Sequence, residues 1–305
     1  MRKVIGIGET ILDIVFKNGQ PTKAVPGGSV FNGLISLGRA GVEAVFISEV
    51  GNDRVGDTIL NFMKENGVNG DHVCVYPDGK SPVSLAFLNE KNDAEYIFYK
   101  DYPKLRLDVE LPEVTSDDIV MFGSFYAISP LIRGKVKELL DKARRAGAII
   151  YYDVNFRSTH KNDGIKLLPT IIENFEYADI IRGSGEDFEN MFGLTDADQV
   201  YRNKVSFYCP RFICTNGSES ICLRTPSLTK DYEVAPLQTV STIGAGDNFN
   251  AGLVFSLLKN RIRRADLDEL SEADWDKIVA GGMAFSREVC ASLDNYVSKE
   301  FAMTL

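Results

Sequence analysis

The sequence predicts an α/β fold with a mostly parallel central sheet, and three observations carry that prediction. Short β-branched runs recur at residues 4–7, 44–48, 119–122, 148–152, 179–181 and 212–215. Longer stretches with helical spacing separate them, at residues 32–40, 55–66, 130–146 and from Phe188 onward. Strands that alternate with helices over most of a chain pair in parallel, because each helix carries the chain back across one face of the sheet. The third observation is size: 305 residues at 44% hydrophobic are enough for one large core, and the expectation is a single domain over residues 1–305.

Taken in order, the first strand run leads into Gly6-Ile7-Gly8. This imitates a dinucleotide fingerprint, but the third glycine would fall at Ile11 and no helix start follows. Pro26-Gly27-Gly28-Ser29-Val30-Phe31-Asn32 then opens the first helical stretch, which ends at Gly38-Arg39-Ala40-Gly41. The next strand run is followed by Gly51-Asn52-Asp53 and Gly56, and by the second helical stretch. Residues 72–100 break the alternation, with β runs at 73–76, 82–88 and 96–99 and turns at Pro77-Asp78-Gly79 and 89–93. Gly79-Lys80-Ser81 imitates the end of a phosphate loop, but Cys74 stands where its first glycine belongs and Pro82 begins a strand pattern. A meander without helices, joined by residues 11–25, predicts a small sheet from about 11–25 and 72–104 that stands off the main domain. It reads equally as a lid that excludes water from a substrate or as an edge extension of the main sheet. The alternation ends on Ser241-Thr242-Ile243-Gly244-Ala245-Gly246-Asp247, followed by an apolar run from Asn248 to Leu258.

Composition narrows the function class. A formal charge of −9 with no offsetting basic cluster argues against a nucleic-acid partner, since Arg261 to Arg264 sit beside Asp266, Asp268 and Glu269. The five cysteines are odd in number and lack C-x-x-C spacing, which argues against a disulfide framework or a zinc site and for a reducing, cytoplasmic compartment. Glu9 and Asp13 interrupt the first apolar region too early for a signal peptide, and no run reaches membrane-spanning length, so no membrane partner is expected. With only His72 and His160, a histidine-centred triad has little material.

The chemistry is concentrated in two glycine loops. A helix N-terminus presents unpaired backbone N–H groups and the positive end of its dipole, which suits a phosphate, and Gly244 and Gly246 let the backbone come close. Asp247 beside such a site makes sense as the base that takes a proton from a hydroxyl attacking the phosphate. An aspartate in a first turn also complements the dipole as an ordinary cap, so this loop alone does not decide. In the other loop Gly27 and Gly28 admit a ligand close to the backbone, and Asn32 offers one acceptor and two donors suited to vicinal hydroxyls.

The combination is more specific. Gly27-Gly28 with Asn32, Gly51-Asn52-Asp53-x-x-Gly56 and Gly244-Ala245-Gly246-Asp247 resembles the two signatures of the PfkB (ribokinase-like) carbohydrate kinases. Gly8-Glu9 with Asp13 looks like the family's opening G-E-x-x-x-D segment, and Asp153-Val154-Asn155-Phe156-Arg157 like its D-x-N-x-R motif. Glu186 takes the acidic position of the N-x-x-E motif, and Thr215-Asn216-Gly217 resembles the T-x-G turn near the nucleotide. The likeness runs from residue 3 to about 290.

This resemblance implies a ribokinase-like three-layer α/β/α fold with a small β-sheet lid, and transfer of the γ-phosphoryl group of ATP to a sugar hydroxyl. Asp247 would be the base, and the amides of Gly244, Ala245, Gly246 and Asp247 the anion hole. Asp13, Gly27, Gly28 and Asn32 would hold the sugar, and Glu186 would order the Mg²⁺–water shell on the phosphates. Thr215 and Gly217 would line the nucleotide pocket together with Gly244 and Gly246, or form a plain turn. Arg157 would contact a phosphate or an acidic substrate, or pair structurally with Asp153. Two departures stand out. The asparagine of N-x-x-E aligns with Gly183, leaving Arg182 or Ser184 as replacements, and Ser241 stands where the family usually has Asp, which puts monovalent-cation activation in doubt.

Gly8-Glu9, Phe98-Tyr99-Lys100 and the D-x-N-x-R segment look most like fructokinases and 2-keto-3-deoxygluconate kinases. The expected activity is that of a fructokinase, with a 2-keto-3-deoxygluconate kinase or another sugar or nucleoside kinase of the family as the alternative. A non-catalytic sugar- and nucleotide-binding regulator is the competing class. Asp247 argues against it, because a carboxylate facing a phosphate only repels a ligand that is not to be transferred. An exposed small sheet also invites pairing into a homodimer through the lid.

Overall fold

The computed structural model describes residues 2–90 and 94–305, so residues 91–93 of the second expected turn lie outside it. In chain order the first elements are β1 (Lys3–Ile7), β2 (Ile11–Lys17), β3 (Gln20–Gly27), α1 (Ser29–Arg39), β4 (Glu43–Gly51), α2 (Arg54–Glu65), β5 (Val68–Tyr76), β6 (Lys80–Leu88) and β7 (Ala94–Asp101). The middle of the chain supplies β8 (Ile119–Gly123), α3 (Ser124–Ile128), α4 (Arg133–Ala146), β9 (Ile149–Asp153), α5 (Gly164–Tyr177), β10 (Ile180–Ser184), α6 (Gly185–Phe192), α7 (Ala197–Val200), β11 (Phe212–Asn216), β12 (Ser220–Arg224) and β13 (Thr229–Glu233). The last helices are α8 (Ala245–Lys259), α9 (Glu272–Cys290) and α10 (Lys299–Ala302). The chain divides into two compact units, one of Met1–Glu113, Leu237–Arg261 and Trp275–Leu305, the other of Val114–Pro236 and Ile262–Asp274.

In the first unit β1, β4 and β5 run parallel, with Lys3 opposite Glu43 and Ala44 opposite Val68. β1 and β4 are buried along nearly their whole length, as strands covered on both faces must be. Helix α1 lies close over β1 because Gly6 carries no side chain: a Cβ there would come within 2.6 Å of Leu34 and 2.7 Å of Val30. The run at 73–76, expected in the small sheet, belongs instead to β5, which pairs in parallel with β4 after the α2 crossover. A nine-residue strand beginning at Val68 was hidden behind Gly70 and Asp71, which break its pattern.

The small sheet is four-stranded in the order β3-β2-β6-β7. Its register gives it two unlike faces. Asp13, Val15, Ser84 and Ala86 share one face and are buried, while Leu12, Ile14, Val83 and Leu85 share the other and are half-buried. That second face continues into Ile97 and Tyr99, which are 45% and 57% exposed. The Gly51-Asn52-Asp53-x-x-Gly56 motif anchors this sheet. The Asp53 carboxylate caps α2 by accepting from the Gly56 amide at 2.8 Å, and accepts from both the amide and hydroxyl of Ser81 at 2.8 Å.

In the second unit β8, β9, β10 and β11 are parallel, and β12 and β13 add antiparallel strands beyond β11. The last two escape the sequence reading because β12 has only Ile221, Cys222 and Leu223 between polar ends and β13 is polar, with the alternate burial of a one-sided strand. Helix α6 starts at Gly185, three residues before the expected point, because Ser184 and Asp187 close a capping box there. Among the described residues no helix is long and apolar enough to cross a membrane. All five cysteines are free.

Candidate active site

The catalytic candidates, and the sugar-side ones apart from Arg157, lie in the first unit. Gly244 caps α8 in the left-handed region (φ 75°), where a Cβ would meet the Asn295 carbonyl at 2.9 Å. The Ala245 amide is bonded to Thr242 O at 3.2 Å and the Asn248 amide to Gly244 O at 2.9 Å. The Gly246 amide, between them on the first turn, makes no hydrogen bond among the described residues. Asp247 is half-buried on the same turn, and Asn32 Nδ2 donates to its Oδ2 at 2.8 Å. Asn32 is 5% exposed, and its Oδ1 is a buried acceptor without a partner among the described residues. A buried, unmet carbonyl oxygen beside a carboxylate is a place made for a hydroxyl.

Gly27 and Gly28 end β3 and cap α1. Gly28 has φ 132°, and a Cβ there would run into the Glu9 carbonyl, while one on Gly27 would lie 2.5 Å from Asp13 Oδ2. Asp13 is nearly buried on β2 and accepts a short hydrogen bond from the Ser84 hydroxyl on β6. Burial lifts its carboxyl to about 6; the Glu9 charge adds to this and the Ser84 bond opposes it. Glu9 is itself held by the Tyr102 hydroxyl and by the Lys100 ammonium at 2.8 Å.

Asn248 was read only as the start of an apolar run, yet it is fully buried and braces the loop. It donates to Gly244 O and Asn295 O, each at 2.8 Å, and accepts from the Ser36 hydroxyl of α1. A polar amide at the head of an apolar helix was the available signal, because an interior position rarely carries one without partners. Ser241 is buried, and its hydroxyl accepts from the Ile243 amide at 3.2 Å.

The nucleotide-side candidates lie in the second unit. Thr215 is buried at the end of β11, and Gly217 takes φ 57° in the turn to β12. Glu186 is exposed on the first turn of α6. Asp187, one residue later, is the acid that bonds back, with its Oδ2 accepting from the Ser184 amide at 2.7 Å and hydroxyl at 2.8 Å. Ser184-x-x-Asp187 thus has the spacing that the sequence reading assigned to Gly183-x-x-Glu186. Arg157 is exposed and makes no ion pair among the described residues; the partner of Asp153 is Arg182, at 3.0 Å. Burial raises the Asp153 carboxyl, and Arg182 only partly offsets it. Among the described residues no group of three His, Cys, Asp or Glu side chains could hold a metal ion. A lone exposed carboxylate such as Glu186 still suits Mg²⁺, which keeps several waters and takes its other oxygens from phosphates.

Comparison with known proteins agrees with this geometry. The profile of the pfkB family carbohydrate kinases matches residues 1–294. A fructokinase from Rhizobium leguminosarum bv. trifolii is 28% identical, over 88% of this chain and 84% of that protein. A 5-dehydro-2-deoxygluconokinase from Geobacillus kaustophilus is 29% identical, over 77% of this chain and 73% of that protein. The crystal structure of Vibrio cholerae fructokinase with fructose, ADP and calcium superposes with a TM-score of 0.84 at 18% identity, covering 98% of this chain and 96% of that one. The shared fold is a three-layer α/β arrangement with a large, mostly parallel sheet and a smaller separate sheet.

Proposed function

We propose, from the premise that the chain belongs to the pfkB family of carbohydrate kinases, that it phosphorylates a neutral ketose, fructose, with ATP. It is a sugar kinase, a phosphotransferase with an alcohol group as acceptor. The observation that carries the finer reading is the Asn32–Asp247 pair, a carboxylate steered by an amide whose own carbonyl oxygen is buried and unmet. A sugar hydroxyl donating to Asn32 Oδ1 would stand beside Asp247, which takes the proton of the attacking hydroxyl as its oxygen bonds to phosphorus. The Gly246 amide and its neighbours on the first turn of α8 meet the charge that develops on the transferred group. Asp13 accepts a second hydroxyl. ATP would supply the phosphoryl group, with ADP as the leaving group, and Glu186 would hold through water the Mg²⁺ that neutralises the phosphate oxygens. Thr215 and Gly217 line the nucleotide side. Ser241 contributes no charge, which supports a site that works without a monovalent cation.

Two cations support a neutral sugar, because each is already committed. Lys100 is paired with Glu9, and Arg106 with the buried Glu49. A second reading, an acidic sugar such as 2-keto-3-deoxygluconate, is favoured by Arg157, whose exposed guanidinium has no ion-pair partner among the described residues. ADP release over fructose, ribose, tagatose, 2-keto-3-deoxygluconate and adenosine tests both. Fructose should give the highest kcat/KM; turnover confined to the acid sugar would replace the first reading with the second, and none on any sugar would end both.

Residues 1–305 act as one kinase domain in this reading, cytoplasmic, with the small sheet as its lid. The half-exposed apolar face of that sheet, from Leu12 and Ile14 to Ile97 and Tyr99, supports a homodimer formed lid to lid. Sedimentation equilibrium checks this: the wild type should be a dimer and Ile97→Asp a monomer.

A further inference from the structure

Arg182 is a charged side chain deep inside the protein, at a position where the family signature asks for none. It is 7% exposed, between Asp153 at 2% and Thr215 at 8%. Its Nη1 lies 3.0 Å from Asp153 Oδ1, and its Nη2 donates to Thr215 Oγ1 at 2.5 Å. The three residues stand near the carboxyl ends of the neighbouring parallel strands β9, β10 and β11, with Arg182 in register with Asp153 and Ser184 in register with Thr215. Alternate residues share a face, so Arg182 and Thr215 point to the same side of the sheet. The carboxyl end of such a sheet is where ligands bind.

The neighbouring position cannot do this work. A Cβ on Gly183 would lie 2.6 Å from Phe188 Cζ and 2.8 Å from its Cε2, and the Phe188 ring is fully buried. Ser184 is occupied with Asp187. The one polar group of this strand that reaches across to the Thr215 turn is therefore the Arg182 fork.

We propose that Arg182 is a positioning residue for the nucleotide: its two arms tie the end of β9 to the Thr215-Asn216-Gly217 turn and fix the Thr215 hydroxyl as a donor. The proposal rests on reading the chain as an ATP-dependent kinase. A threonine oxygen that accepts from a guanidinium must turn its own proton elsewhere, and a nucleotide oxygen or nitrogen at the mouth of the turn is the acceptor it fits. The guanidinium fork is rigid and planar, so holding Asp153 on one arm sets the direction of the other. A lysine at 182 keeps the charge opposite Asp153 but cannot hold both partners in that geometry.

The test is steady-state kinetics of the full chain as wild type, Arg182→Lys, Thr215→Val and the double variant, with thermal unfolding of each. Each single variant should raise KM for MgATP about five- to tenfold, the weight of one hydrogen bond, and leave KM for the sugar within about twofold. The double variant should be no worse than the worse single one, because both remove the same contact. Thr215→Val with wild-type KM for MgATP, equal shifts in the two KM values, or additive losses would each overturn the proposal. Should Arg182→Lys unfold, Thr215→Val decides alone. A wild type that releases no ADP with any sugar defeats the kinase reading instead, which separates the two failures.

Discussion

Two polar clusters, one in each unit, are buried to a similar degree and built in opposite ways. Around Asp153, Arg182 and Thr215 a full positive charge faces a full negative one, and the remaining arm of the guanidinium is spent on a hydroxyl. In the first unit Asp13 accepts from a serine hydroxyl and Asp247 from the Asn32 amide, both of them neutral donors. One acceptor there, Asn32 Oδ1, has no partner among the described residues, while burial raises a carboxyl in each cluster, Asp13 in this one and Asp153 in the other. A buried charge met by an opposite charge marks a cluster held by its own parts, and an unmet acceptor beside a carboxylate marks one that suits a hydroxyl. Burial alone does not separate the two; the identity of the partners does.

The largest effect that could break this contrast comes from Asp247→Asn. The amide keeps the shape and can still accept from Asn32, but it cannot take a proton. kcat should fall by about 10³-fold or more, while the KM values for sugar and MgATP move by less than about threefold. Stopped assays with excess enzyme measure it. A variant with near-normal kcat would remove Asp247 from the role of base and leave the Asn32 pair a structural contact.

How much of this was legible in the sequence follows the same division. Gly28 and Gly244 could be read because backbone in a left-handed or crowded position announces itself as glycine, and Asp247 because a carboxylate beside an anion site is conspicuous. The alternation of strands and helices gave the parallel sheet for the same reason: burial on both faces leaves a near-continuous apolar run. The bracing contacts stayed hidden. Asn248 sits inside an apolar run, and Arg182 stood out only as a replacement for the asparagine missing at Gly183, with nothing in the sequence to show its partners. Their roles depend on partners at Ser36, Asn295, Asp153 and Thr215, which lie 29 or more residues away along the chain. The edge strands were missed because a polar, one-sided strand such as β13 has the composition of a loop.

A smaller effect sharpens the contrast from the side of stability. The Asp13 carboxyl, lifted from 3.8 to about 6 mainly by burial, holds a proton more tightly in the folded chain than in the unfolded one. Protonation therefore favours folding, and that stabilisation is full below about pH 4 and lost as the pH rises through about 6. Above it, the ionised carboxylate costs the folded state about 1–3 kcal/mol. A cost of that kind is retained only where the charge is used, since an ionised oxygen is the stronger acceptor for a sugar hydroxyl. Asp13→Asn should accordingly unfold at a higher temperature than the wild type at pH 8, match it near pH 4, and raise KM for the sugar at least about tenfold. In the wild type that KM should fall as the pH rises through about 6, and in the variant it should stay flat. Equal melting temperatures at pH 8, or a pH-dependent KM that persists in the variant, would leave Asp13 a structural partner of Ser84 and nothing more.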